Sequence, residues 1–191
     1  TITQYLRFMK EEAKTSELMR LIDREKGSII VFVRSKDRAT KLWRSLHSRG
    51  IYDANTIHSD KLQAHREQAL AEFKEGKCRI LIATDVAGRG IHVDDVAHVV
   101  NFDIPLEPED YIHRIGRTGR KGAIGVATSF ATSGDRGLLR DIEKLLGKPI
   151  DPNARMPEPS QSAERPSGGR RRRGGRGGGG GGRPGPHAPQ G

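Results

Sequence analysis

The chain has 191 residues, a net charge of +10 and a pI near 10.1, enough for one domain with a real core and a tail but a squeeze for two. A surplus of Lys and Arg gains by displacing counterions from phosphates, so the charge favours a polyanionic partner over a neutral one. A single cysteine, Cys78, allows no internal disulfide and no thiolate metal site, no run reaches the roughly eighteen apolar residues of a membrane helix, and TITQYLRFMK lacks a signal peptide's apolar core, so a soluble, intracellular, cytoplasmic protein is expected.

The first short apolar run is IIVFV, residues 29–33, as expected of a strand covered on both faces. A helix follows in which Ala39, Leu42, Trp43 and Leu46 fall at i, i+3, i+4 and i+7, with Ser35 placed to cap its start and Gly50 to close its end. Residues 63–75 are expected to form the next helix, with Gly76 as its stop. Further strands are expected at 79–83, 96–100 and 125–130, and Leu138, Leu139, Ile142, Leu145 and Leu146 make a last helical stripe ending at Gly147.

Strand and helix alternating at this spacing imply right-handed crossovers and a parallel sheet with helices on both faces. In such sheets ligands bind where the strands' carboxyl ends feed into loops. The unusual residues stand there: Arg34 and Ser35, His58 to Asp60, and Thr84 to His92 each follow an expected strand. Composition changes after about Pro149, and from Arg155 onward eight arginines face two glutamates among Gly, Pro, Ser, Gln and Ala. Such a segment has too little apolar surface to offset its ordering entropy. The expected division is a globular domain over 1–150 and a disordered tail over 151–191.

In TDVAGRGIH, residues 84–92, Gly88 and Gly90 allow backbone to approach a ligand closely, and Thr84 offers a hydroxyl to a phosphate oxygen. About twenty residues on comes YIHRIGRTGR, with Arg114, Arg117 and Arg120 at intervals of three, interrupted by Gly116 and Gly119. So cationic a cluster suits an anion, and its competitor is a solvated cationic face with no ligand. Tyr111, Ile112 and Ile115 fit the core side under either reading. Gln63 and Arg66 stand one turn apart at the start of a helix, where free backbone N–H groups also face an anion. A capping box over Asp60-Lys61-Leu62-Gln63 would account for Gln63 equally well. Cys78 and Trp43 read as core residues, and His47, His65 and His187 lack metal-ligand spacing.

Taken together, these stretches resemble the second RecA-like domain of the DEAD-box RNA helicases over roughly residues 2–150. IIVFVRS is similar to motif IV of that family, HSDKLQAHR to its QxxR segment, ATDVAGRGIH to motif V and HRIGRTGR to motif VI, whose leading His favours this family over related helicase groups. The resemblance implies an α/β, RecA-like fold and the carboxyl-terminal half of an ATP-dependent RNA helicase, ATP and Mg2+ being held mainly by an N-terminal RecA-like domain. That domain's phosphate loop and Asp-Glu-Ala-Asp motif do not occur in these residues, so the chain alone is expected to be inactive, and Thr1 in place of an initiator Met suggests a sequence that begins within a longer one.

By the same resemblance Arg117 and Arg120 reach the γ-phosphate as arginine fingers, His113 couples nucleotide state to the partner domain, and Arg114 supports the loop. Gly90 and His92 lie at the nucleotide; Ser59, Asp60, Gln63, Arg66 and Thr84 contact RNA. The implied partners are RNA, the N-terminal domain, and RNA-processing or ribonucleoprotein components. Three positions depart from the family: Ser59 stands for a usual Gly, Leu62 for a usual Ser, and His92 for the Asp that bonds the ATP ribose. A single imidazole hydrogen bond replaces a charged acceptor pair at position 92, and weaker nucleotide use is expected. A stand-alone RNA-binding or scaffold domain is the alternative from another class.

The tail, SGGRRRRGGRGGGGGGRPGPHAPQG, carries Arg170, Arg171, Arg172, Arg173 and Arg176 among glycines. Mobile Arg-Gly segments hold RNA by phosphate attraction and by guanidinium stacking on bases; a solubilising linker, or a nuclear address in the four-arginine run, is the competing reading. Deleting residues 155–191 should weaken RNA binding and flatten the slope of log K against log salt, and an unchanged slope would remove the tail from the RNA contact.

Overall fold

Strands β1 (Ile2–Phe8), β2 (Ile29–Val33), β3 (Ala54–Ile57), β4 (Ile80–Thr84), β5 (His98–Asn101) and β6 (Gly125–Ala131) form one sheet in the order β1-β6-β5-β2-β4-β3. Every pairing is parallel. Helices α1 (Lys14–Arg24), α2 (Lys36–Ser48), α3 (Gln63–Lys74), α4 (Asp85–Gly88) and α5 (Pro108–Ile115) connect them, and α6 (Arg136–Leu146) follows β6. This is a computed structural model that describes residues 1–88, 92–155, 179–182 and 185. The chain divides into two units, 1–158 and 159–191; Gly90 and the tail arginines 170–173 and 176 lie outside the described residues.

The strand period of two sorts the core into two layers. Ile30 and Phe32 of β2 join Leu81, Phe73, Tyr111 and Ile142 on the side of α3, α5 and α6. Ile29, Val31 and Val33 join Leu18, Leu46, Ile80 and Ile82 on the side of α1 and α2. With both faces covered, β2 and β4 are buried at every position, which is why they read as continuous apolar runs. Cys78 is packed into the first layer, and burial pushes its thiol up to about 11.

Ser35 caps α2, its Oγ accepting the Arg38 N–H at 3.3 Å. Gly147 closes α6 in the left-handed region at φ 70°. The start of α3 corrects the sequence reading: Leu62 is the capping residue, no side chain caps it, and the Asp60 carboxylate is drawn away to Lys36 Nζ at 2.9 Å. An ion pair with the neighbouring helix outcompetes the capping box. Strand β5 begins at His98 instead of 96, because the Val96 N–H is taken by the Arg117 carbonyl at 3.1 Å.

Lys14 and Asp103 are buried although charged, at 2% and 3% exposure, and each explains the other. Asp103 accepts from Lys14 Nζ at 3.2 Å, from Arg38 Nε at 2.7 Å and from the Arg34 N–H at 2.9 Å. Lys14 and Arg38 also lie over the Phe102 ring, 5.6 and 5.9 Å from its centroid. One carboxylate thus ties α1, α2 and the end of β2 to the end of β5. Burial pushes the Asp103 carboxyl up, but the Arg38 guanidinium, the Arg34 N–H and Lys14 outweigh it and hold it below its ordinary 3.8. Its contribution is therefore complete above the unfolded value and is lost as pH falls through the lower folded one. Acid unfolding followed by circular dichroism should show stability declining from about pH 4 downward, and Asp103→Asn should be destabilised at neutral pH and flatten that decline.

Candidate functional site

Register places the carboxyl-end loops side by side. Val33 pairs with Thr84, Ile57 with Ala83 and Phe32 with Asn101, so the loops after β3, β4, β2 and β5 form one rim in that order. Onto it α5 brings the arginine segment. Pro108 starts the helix and Glu107 is its capping residue. From there, helical geometry turns Tyr111, Arg114 and Ile115 inward and Ile112 and His113 outward. Ile112 is 42% exposed, so its expected core position is corrected: it lies just beyond the buried face that Tyr111 and Ile115 occupy.

Arg114 is 2% exposed, and its guanidinium is matched on every side. Nε and one terminal nitrogen donate to the two oxygens of Asp85 at 2.6 and 2.7 Å. The other terminal nitrogen donates to Asn101 Oδ1 at 3.1 Å and to the Asp103 carbonyl at 2.7 Å. The planar group sits 5.2 Å from the centroid of Phe32. This fork geometry suits Arg and not Lys. It fastens the arginine segment to the first residue of α4. Nothing in the spacing of the sequence marked Asp85 or Asn101 as its partners.

Arg117 and Arg120 behave differently. Both lie beside the carboxylate of Asp94: Arg117 at 3.9 Å from Oδ1, Arg120 Nε at 3.4 Å from Oδ1, and a terminal Arg120 nitrogen donating to Oδ2 at 3.4 Å. Arg120 Nε also donates to the Gly116 carbonyl at 3.0 Å. Arg117 is one-fifth exposed and Arg120 about half, whereas Arg114 is sealed. Between them Gly119 takes φ 72°, and a Cβ there would come within 2.8 Å of Ile2 and 3.3 Å of the Gly125 nitrogen. The turn that aims Arg120 therefore requires glycine.

His113 projects outward, 63% exposed, with Nδ1 3.7 Å from Asp110. His92 is exposed on the segment that leads to Asp94. On the neighbouring part of the rim, Ser59 and Asp60 are exposed in the loop after β3, and Gln63 and Arg66 follow in the first turn of α3. Gln63 donates to Glu67 at 3.1 Å. The Asp60 N–H donates to Nδ1 of the buried His58 at 3.3 Å, and burial, followed by the nearby Lys61, lowers the pKa of that imidazole. Thr84 is only 6% exposed at the end of β4 and presents little surface to a ligand. Among the described residues, no group of three or more His, Cys, Asp or Glu side chains could hold a metal ion.

A family model, the helicase conserved C-terminal domain, matches residues 13–122. The DEAD-box ATP-dependent RNA helicase CshA of Bacillus subtilis (strain 168) is 45% identical over 160 residues, 83% of this chain and 32% of that protein. The chain thus spans about a third of the length of the curated relatives it matches. It is also similar to the crystal structure of E. coli DEAD-box protein SrmB bound to regulator of ribonuclease activity A, with TM-score 0.74 and 34% identity over 83% of this chain and 99% of that one. S. cerevisiae Dbp5 bound to RNA and ADP BeF3 matches with TM-score 0.71 and 36% identity over 78% of this chain and 42% of that one.

Removing one partner of a buried pair strands the other charge, whereas removing both does not. Arg114→Met and Asp85→Leu should each destabilise the chain by about 3–5 kcal/mol. In urea unfolding the double variant should lose clearly less than the sum of the two.

Proposed function

Because the chain belongs to the helicase conserved C-terminal domain family, as the second RecA-like domain of a DEAD-box protein, we propose that it forms one wall of an ATP and RNA site in an ATP-dependent RNA helicase. An N-terminal RecA-like domain forms the other wall and holds most of the ATP and its Mg2+. The observation that carries this reading is the convergence of Arg117 and Arg120 on a single oxyanion, the Asp94 carboxylate, at the exposed end of a rigid α5. Two guanidiniums that accept a carboxylate are chemically suited to accept a phosphate.

Bound ATP would supply a γ-phosphoryl group that gains negative charge as it passes to water. Arg117 and Arg120 stabilise that charge by placing fixed cations against it, with no proton transfer and so no need of a perturbed pKa. Arg114 keeps them in place by holding α5 on Asp85. His113, exposed on the outer face of α5, would sense the facing domain. His92 can give one hydrogen bond to a ribose hydroxyl, a weaker grip than a carboxylate. Gly90, in the same segment, is assigned to the nucleotide by family resemblance alone.

RNA is assigned to the rim formed by Ser59, Asp60, Gln63 and Arg66; Thr84, expected beside them, is buried at the end of β4 and is left out of that surface. Arg66 has no side-chain partner among the described residues, and the Dbp5 structure similar to this chain contains RNA. The Lys36–Asp60 pair ties that rim to α2. Duplex separation would follow when the two domains close and bend one strand. Partners in RNA processing belong to the same proposal.

In the protein carrying both halves, Arg120→Lys should keep RNA affinity and lower the kcat of RNA-stimulated ATP hydrolysis by about 10³-fold or more. A hydrolysis rate equal to that of the parent would remove the arginines from the chemistry.

A further inference from the structure

The three arginines of the segment are held in two contrasting ways. Arg114 is locked: it is sealed from water and bidentate to Asp85 at 2.6 and 2.7 Å. Arg117 and Arg120 instead share one carboxylate at 3.4–3.9 Å, and that carboxylate is 39% exposed. Ion pairs this long, to a carboxylate this exposed, contribute little free energy of their own. The geometry points to Asp94 as a displaceable counter-ion, which parks Arg117 and Arg120 beside one another and yields them to a polyphosphate.

The backbone supports such a role. Val93 and Val96 are buried on either side of Asp94, and the Val96 N–H donates to the Arg117 carbonyl at 3.1 Å, so the carboxylate and the arginine segment are fixed relative to each other. Asp95 then turns into the left-handed region at φ 61° and carries its own carboxylate to Lys121, 3.0 Å away. Two adjacent carboxylates are thereby divided between different cations. Arg120 retains its bond to the Gly116 carbonyl at 3.0 Å, which leaves its terminal nitrogens to exchange one oxyanion for another without loss of the anchor. Asp94 is a positioning residue here: it acts on the phosphate only through the arginines.

The inference rests on the reading of Arg117 and Arg120 as phosphate ligands, and the test separates the two. Inorganic triphosphate is titrated at low salt into the 191-residue chain, following arginine Nε–Hε signals by NMR. Asp94→Asn should bind triphosphate roughly two- to fivefold more tightly than the parent, the factor an exposed ion pair of ordinary strength represents, and should shift the Arg120 signal before any ligand is added. Asp94→Glu should restore the parent affinity. Asp95→Asn removes the same charge from the neighbouring residue and should change affinity far less. Equal tightening by Asp94→Asn and Asp95→Asn would reduce the effect to net charge and overturn the inference. Unchanged or weaker binding by Asp94→Asn would also overturn it, and would leave the arginine reading intact if Arg117→Gln with Arg120→Gln abolishes binding. Binding that persists in that double variant would overturn both.

Discussion

A guanidinium with almost no access to water is the constraint around which this domain is organised. Arg114 can be buried only because Asp85 neutralises it and because Asn101 and the Asp103 carbonyl take its remaining donors. Those partners come from the ends of β4 and β5, so satisfying one side chain fixes α5 over the rim of the sheet. Such an arrangement contributes little net stability relative to an apolar replacement, since desolvation consumes much of the attraction. Its product is position: Arg117 and Arg120, three and six residues further on and beyond the end of α5, inherit their placement from it.

Asp103 extends the same logic to the other side of the rim. Its carbonyl accepts from Arg114, while its carboxylate binds Lys14, Arg38 and the Arg34 N–H. Arg34 and Arg38 flank the capped start of α2, and Lys36 between them reaches Asp60 in the loop that precedes α3. A continuous polar chain therefore runs from the proposed RNA rim to the proposed phosphate rim. Its Asp103 and Arg114 contacts are buried and of good geometry, while its last link, Lys36–Asp60, is exposed on both sides.

Much of the sheet was legible in the sequence because fully covered parallel strands leave uninterrupted apolar runs, as at Ile29–Val33. The edge strands were given no range for the converse reason: β1 alternates in exposure and β3 has only four residues, ANTI. Helix α1 escaped because a buried Lys14 heads its inner face, a residue type that periodicity counts as polar. The arginines of the candidate site were legible through the family pattern, and the separation of Arg114 from Arg117 and Arg120 was anticipated. The carboxylates that receive them were not, since Asp85 and Asp94 are brought to the arginines by topology from outside the arginine segment. The capping box at Asp60 failed because a local signal takes no account of Lys36, twenty-four residues away.

The proposed division between locked and exchangeable arginines has a functional logic. A cation that must meet a developing charge in the transition state has to be in place beforehand and yet available, and the two demands conflict within one residue. Here they are assigned to different residues of one segment. Arg114 meets the first by complete burial, with no oxygen left to exchange. Arg117 and Arg120 meet the second by resting on a carboxylate that water already reaches. Had Asp94 gripped them as Asp85 grips Arg114, a phosphate would have had to displace a desolvated bidentate pair, and the site would resist its own ligand. Looser contact of Asp94 with Arg117 and Arg120 and tight contact of Asp85 with Arg114 are therefore two halves of the same requirement.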